Sequence, residues 1–154
     1  MTTYYADSSA LVKRYVVETG SDWVQGLCAP AAGHVIAFAH IGLIEIAAAL
    51  AAKTRQGVLP TSVRDGLLRD LRRDGRDQYW LIDVDHEIVL QAIELTRRHK
   101  LRGYDAAHLA CAIFLRDTLL AHHFPAPILL ASDMELLAAA QAEGFATANP
   151  LDHP

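Results

Sequence analysis

The chain has 154 residues, of which 52% are hydrophobic and 21% are charged, and its formal net charge is −4. This length suits one compact domain spanning residues 1–154, which can bury enough apolar surface to fold without disulfides. The acidic balance excludes a protein that binds nucleic acid through bulk positive charge, so any such contact must be local.

The N-terminal segment lacks the basic stretch and the apolar stretch of a signal peptide. Cys28 and Cys111 stand in apolar surroundings without metal-binding spacing, which indicates reduced core thiols and a cytoplasmic protein. The apolar segment 35–52 imitates a membrane span, but Glu45 near its middle would be costly in lipid. We therefore expect a strand and a buried helix there, and no membrane association.

Short β-rich runs alternate with longer helical patterns along the chain, which is typical of βαβ units and a parallel sheet. The predicted strands are 3–6, 34–39, 79–84, 128–131 and a short fifth at 145–147. The predicted helices lie near 9–17, 21–29, 40–56, 62–75, 86–99, 104–120 and 133–143. The sequence thus predicts an α/β fold around a parallel sheet of four to five strands.

Acidic residues follow the first and fourth predicted strands. Asp7 comes directly after the first, and Asp133 follows the fourth with only Ser132 between them. Ligands of open parallel sheets bind beyond the carboxyl ends of the strands, so both carboxylates should reach the same edge. Each could instead only cap a helix. For Asp133 this alternative is weaker, because the sequence 132–135 (SDME) matches a capping box in which Ser132 is the cap.

Glu45 is the most unusual acid in the sequence, because it lies early in a predicted helix that is apolar on every face. A carboxylate in such a place must be paired, protonated or bound to a cation. An ordinary ion pair with Lys13 or Arg14 is the alternative to a functional role. The helix follows the second strand, so its first turns should lie near the same edge as Asp7.

Asp105 opens the predicted helix near 104–120 and could be an ordinary N-cap. His108 follows three residues later, and such a pair can bind a transition metal on one helical face. No second histidine is placed to join it, so the sequence favours a core or supporting role for His108.

Four acids at one edge of a sheet would repel one another. Two carboxylates about 5 Å apart repel by on the order of 3 kcal/mol at an effective dielectric near 20. Such a cluster must take up protons or hold divalent cations, and oxygen ligands favour Mg²⁺ or Mn²⁺. A metal held with open coordination positions is suited to phosphodiester hydrolysis.

The sequence blocks around these acids resemble the PIN-domain ribonucleases of the VapC toxin type. The blocks are D-S-S-A-L-V-K-x-Y from Asp7, L-x-E-x-x-x-A-L around Glu45, Y-D-A-x-H-L-A around Asp105, S-D-x-x-L-x-x-A-A around Asp133, and the closing Asn149 and Pro150. The resemblance runs through nearly the full chain. It implies a three-layer α/β/α sandwich and a Mg²⁺- or Mn²⁺-dependent endoribonuclease that cleaves RNA. It also implies a homodimer and a cognate antitoxin that blocks the site.

By the same resemblance, the expected catalytic and metal-binding quartet is Asp7, Glu45, Asp105 and Asp133. Ser9 and Ser132 are expected to contact substrate or a metal-bound water. The family often has a hydroxyl residue two places before its last acid, whereas this chain has Ala131 there and Ser132 next to the acid.

Two other functions fit the same residues. The first is a non-catalytic PIN-like binding module that acts through a partner protein. The second is an aspartyl-phosphate phosphatase, which usually requires a second Asp two residues after the nucleophile, where this chain has Ser9.

Two surfaces suggest contacts with other molecules. In segment 63–76, an apolar face should pack on the core or on an antitoxin, and its members are Val63, Leu67, Leu68 and Leu71. A basic strip is either a phosphate-binding surface or an ordinary helix C-terminus, and its members are Arg97, Arg98, Lys100 and Arg102.

Overall fold

Five parallel strands form the central sheet of the computed structural model, which describes all 154 residues. They are β1 (Thr3–Ala6), β2 (Val35–Ala39), β3 (Tyr79–Ile82), β4 (Ile128–Leu130) and β5 (Thr147–Ala148), in the spatial order β3-β2-β1-β4-β5. In the register of the central strand, Tyr5 lies opposite Ala37 of β2 and Leu129 of β4. Because every strand runs the same way, all carboxyl ends reach one edge of the sheet, with Asp7 at its centre.

Seven α-helices cover the sheet. They are α1 (Ser8–Leu11), α2 (Ser21–Cys28), α3 (Gly42–Arg55), α4 (Thr61–Asp77), α5 (His86–Arg98), α6 (Gly103–Ala121) and α7 (Met134–Ala142). Short 3₁₀ helices lie at Val12–Arg14, Pro30–Ala32 and Pro150–Asp152. None of the helices has the length and apolarity to cross a membrane.

Successive strand residues face opposite sides of the sheet, and each side has its own core. Tyr5 belongs to a core shared with α5, α6 and α7, whereas Ala6 belongs to a core shared with α1 to α4. The result is an α/β/α sandwich, which confirms the predicted fold class.

One strand boundary and the burial of one helix differ from their predictions. The fifth strand begins at Thr147 and not at 145, because Phe145 is buried in the core and its N–H bonds to the carbonyl of Ala140 at 3.0 Å. The helix α3 is not buried all round, since Ile44 is 63% exposed. An apolar composition does not reveal which face of an alanine-rich helix meets solvent.

The leucine face of α4 is covered largely by the protein itself. Leu71 is buried, while Leu67 and Leu68 are partly buried against the core that also contains α3. Only Val63, at the start of the helix, is well exposed. The face is therefore mainly a packing surface of this chain, so of the two predicted alternatives the core, and not an antitoxin, covers Leu71.

We predict that Gly42→Ala destabilises the protein by about 1–3 kcal/mol, the usual cost of overpacking a core. Gly42 begins α3, and a β-carbon there would overlap the ring of Phe38. Gly26→Ala is the matched control, because it lies within α2 with open space around it and should gain about 0.5–1 kcal/mol from helix propensity. Urea unfolding of both variants measures the difference, and equal effects would contradict the assigned packing.

Candidate active site at the carboxyl edge of the sheet

Asp7 is buried where the central strand ends. Its carboxylate accepts hydrogen bonds from Ser9 Oγ at 2.8 and 2.9 Å and from the N–H of Ala10 at 3.1 Å, so it also caps α1. Only 3% of the residue is exposed, and this burial raises its pKa from 3.8 to about 6 although Ser9, Ala10 and the charge of His108 oppose the shift. Asp7 is therefore poised to lose or regain a proton near neutral pH.

Glu45 leaves the first turn of α3 and meets a histidine from the opposite helical layer. Its Oε1 accepts from Ser8 Oγ at 2.8 Å and from Nε2 of His108 at 2.5 Å. Partial burial raises the pKa of Glu45, but the hydrogen bonds and the charge of His108 outweigh it and lower the pKa overall. The alternative ion pair is absent, because Lys13 pairs with Glu18 and Arg14 with Asp74.

His108 has the buried, supporting position that the sequence favours. It is 1% exposed, and Nδ1 lies 3.0 Å from the hydroxyl of fully buried Tyr5. Its charge lowers the pKa of Asp7, Glu45 and Asp105, so all three acids interact electrostatically with it. Only the D-x-x-H spacing hints at this role in the sequence, and nothing there indicates the contact with Tyr5.

Asp105 and Asp133 form the other side of the site. Asp105 is the third residue of α6, and Arg102 occupies the cap position, so Asp105 is not the N-cap. Burial raises the pKa of Asp105, and the negative charge of Asp133 raises it further. Repulsion between these two carboxylates is the clearest instance of the electrostatic conflict that the sequence predicts.

The predicted capping box is wrong. Asp133 itself caps α7, accepting from the N–H of Leu136 at 2.9 Å. The adjacent Ser132 Oγ is buried and has no hydrogen-bond partner, while the N–H of Ser132 donates to Ser9 Oγ at 2.8 Å. Ser9 thus ties Asp7 to the β4 edge, and Ser132 presents an unused hydroxyl beside Asp133.

The six predicted residues meet in one region, but they do not form a closed metal cage. No three side chains of His, Cys, Asp or Glu converge closely enough to hold an ion by themselves. Mg²⁺ usually keeps several waters and is held by one or two protein carboxylates. An all-oxygen donor set that includes buried Asp7 and the unpartnered hydroxyl of Ser132 fits such a hydrated ion.

The predicted basic strip is mostly neutralised by nearby carboxylates. Arg97 pairs with Glu94, Arg98 with Glu143 and Lys100 with Glu135. Arg102 has no such partner, and its charge lowers the pKa of Asp105. The strip is therefore chiefly an ion-paired surface.

Two curated proteins are similar to the chain over most of its length, although no family model matches it. Ribonuclease VapC45 of Mycobacterium tuberculosis strain CDC 1551 / Oshkosh is 36% identical over 124 residues, covering 76% of this chain and 79% of that protein. Ribonuclease VapC49 of strain ATCC 25618 / H37Rv gives the same values. The chain belongs to the VapC ribonuclease family.

Solved structures agree with this assignment at the level of the fold. VapBC2 from Rickettsia felis, bound to a DNA fragment from its promoter, gives a TM-score of 0.61 at 13% identity and covers 96% of this chain and 98% of that one. A toxin-antitoxin complex from Klebsiella pneumoniae gives 0.57 at 14%, covering 96% and 97%. VapC20 of M. tuberculosis, a sarcin-ricin loop cleaving toxin, gives 0.59 at 17%, covering 92% and 95%. These likenesses confirm the PIN-like sandwich of this VapC-family chain.

We predict that Asp7→Asn raises the free energy of unfolding by about 1–3 kcal/mol near pH 7.5 in EDTA, since one pKa unit corresponds to about 1.4 kcal/mol. The folded protein binds the Asp7 proton more tightly than the unfolded chain does, because burial raises the pKa from 3.8 to about 6. Wild-type stability therefore falls as the pH rises through this window, and the gain from Asn vanishes below about pH 4.

Urea unfolding near pH 4 and near pH 7.5 measures this effect. Asp117→Asn is the control, since Asp117 is exposed on α6 and its loss should change stability by less than about 0.5 kcal/mol. A gain from Asp7→Asn that does not depend on pH would contradict the raised pKa.

Proposed function

We propose that this VapC-family chain is a divalent-metal-dependent endoribonuclease and the toxin of a toxin–antitoxin pair. The observation that supports the proposal is that the acids at this edge interact: Glu45 contacts buried His108 at 2.5 Å, the charge of His108 also lowers the pKa of Asp7 and Asp105, and the charge of Asp133 raises that of Asp105. The curated relatives, which are named ribonucleases, support the same activity. The R. felis and K. pneumoniae complexes support an antitoxin partner, and VapC20 supports RNA as the substrate.

In this proposal Asp7 and Asp105 would hold one Mg²⁺ or Mn²⁺ directly, and Glu45 and Asp133 would complete that site through water or help to hold a second ion. Such an ion, when bound, acidifies a water molecule and neutralises charge on the phosphate. Ser9 keeps the Asp7 carboxylate fixed through its single hydroxyl proton, which is shared between Oδ1 and Oδ2. Ser132 Oγ is buried without a hydrogen-bond partner in the chain, so in this proposal it would support a metal-bound water beside Asp133. Water would then add to phosphorus, the P–O3′ bond would break, and a proton of that water would end on the departing 3′ hydroxyl, with no covalent enzyme intermediate.

We predict that Asp7→Asn and Asp105→Asn each lower the rate of RNA cleavage by at least about 100-fold in Mg²⁺ or Mn²⁺, because a Lewis-acid metal contributes several kcal/mol to such a reaction. EDTA should abolish wild-type cleavage. Asp117→Asn is the matched control, because it removes an exposed acid from the same helix as Asp105. Full activity of either site variant, or undiminished cleavage in EDTA, would contradict the proposed mechanism.

The competing function, a binding module with structural acids, predicts a different response to metal. A site that binds Mg²⁺ stabilises the fold by RT ln(1 + [L]/Kd), whereas internally paired acids give little change. Glu45 is internally paired, but Asp105 and Asp133 repel each other. This repulsion favours the metal-binding alternative, and thermal melting with and without Mg²⁺ distinguishes the two.

We also predict that the product of the neighbouring gene forms a stable complex with this chain and inhibits its RNA cleavage. We further expect the free toxin to be a homodimer. Apolar side chains beside Glu45, including exposed Ile44, give such a partner a surface next to the site. Co-purification, light scattering and a cleavage assay test this, and a chain that is harmless and monomeric when expressed alone would count against it.

A further inference from the structure

His108 joins the two helical layers across the carboxyl edge of the sheet. It belongs to α6 on one face, whereas its partner Glu45 belongs to α3 on the other. Their side chains are 63 residues apart in sequence and meet at 2.5 Å. The proposed cleavage mechanism assigns the acids and two serines but gives no task to this histidine.

The imidazole ring of His108 is fixed by contacts at both of its nitrogens and with two aromatic rings. Its Nδ1 lies 3.0 Å from the Tyr5 hydroxyl, and the rings of Phe38 and Tyr5 pack against it with centroids 5.8 and 6.1 Å away. Tyr5 is fully buried, which keeps its hydroxyl protonated, and a buried hydroxyl strongly favours retaining a partner. Glu45 accepts from Nε2–H, and Nδ1 on the other side of the ring lies within hydrogen-bond distance of the Tyr5 hydroxyl.

The contacts of Glu45 are confined to one of its two oxygens. Oε1 accepts from both His108 and Ser8, whereas Oε2 has no hydrogen-bond partner within the chain. A glutamate that is only 28% exposed and fixed at one oxygen has few conformations left for the other. The arrangement is typical of a carboxylate that is oriented by supporting residues.

We propose that His108 is a positioning residue, which holds Oε1 of Glu45 through Nε2 and is itself fixed by Tyr5, so that Oε2 is presented to the cation and substrate. This inference rests on the proposed ribonuclease function. It predicts that His108 acts on turnover through Glu45 and has no direct contact with RNA.

The test compares His108→Leu with His108→Gln, whose amide N–H can still donate to Glu45. Supporting residues of metal sites typically contribute about 10- to 100-fold to activity or metal affinity. We expect His108→Leu to lower kcat and Mn²⁺ affinity by such a factor with an unchanged KM for RNA, and His108→Gln to recover most of the loss. His99→Gln is the control, because it alters a similar pair, His99 with Glu143 at 2.6 Å, outside the site.

A double variant separates positioning from general damage. If His108 acts through Glu45, then Glu45→Gln combined with His108→Leu is no slower than Glu45→Gln alone. Losses that multiply, or a folded His108→Leu protein with wild-type kcat and Mn²⁺ affinity, would overturn the inference. Should His108→Leu fail to fold, Tyr5→Phe replaces it in the same cycle and is expected to lower kcat, and an unchanged kcat would overturn the inference.

Mn²⁺ calorimetry distinguishes failure of this inference from failure of the proposed function. A wild-type protein that neither binds Mn²⁺ nor cleaves RNA contradicts the ribonuclease proposal itself, and the inference falls with it. A wild-type protein that does both, together with a His108→Leu variant that does both equally well, contradicts only the positioning role.

Discussion

The parallel register of the central strand is the constraint on which the site depends. Ala6 lies opposite Phe38 of β2 and Leu130 of β4, and the N–H of Asp7 continues the β4 ladder by bonding to the carbonyl of Leu130 at 2.9 Å. These backbone bonds fix where the chain leaves the sheet. Acidic side chains that repel one another cannot assemble by mutual attraction, so the sheet has to bring them together.

The quartet of acids is electrostatically unequal, although the sequence suggests four similar charges. Burial raises the pKa of Asp7 to about 6, contacts with His108 lower the pKa of Glu45, and burial together with Asp133 raises the pKa of Asp105. Glu45 is therefore the acid whose charge is already partly offset without a cation, through Oε1. The electrostatic demand for a cation is concentrated at Asp7, Asp105 and Asp133, which is consistent with Glu45 having a secondary part in metal binding.

The strands were predictable because short runs of apolar residues bounded by polar ones are compatible with few other secondary structures. The acids at the edge followed from strand order, since the residue after a parallel strand must emerge there. The cap of α7 was not predictable, because Ser132 and Asp133 are adjacent and both residue types cap helices well. Only the tertiary contact between Ser132 N–H and Ser9 Oγ decides between them.

The sequence could not predict the partner of Glu45, His108, for a similar reason. Lys13 and Arg14 were the alternative partners that the sequence offered, yet each pairs with another carboxylate, Glu18 and Asp74. A histidine on an apolar helix is ordinarily a core residue, and its role here depends on α6 crossing the same edge as α3. Sequence spacing predicts contacts within one helix, whereas the contact between Glu45 and His108 joins two helices, α3 and α6.

The protein carries net negative charge, and the substrate in the proposed function is a polyanion. The two therefore repel each other unless the surface offers local positive charge. Long-range attraction to RNA requires unpaired basic side chains, and most of the basic strip is matched to carboxylates. Arg102 is the exception, and it precedes the helix that carries Asp105. The net charge of −4 leaves little general affinity for RNA. Under the proposed function, cations bound at the acidic edge must therefore reverse the local charge where the phosphate lies, and the same ions serve both binding and hydrolysis.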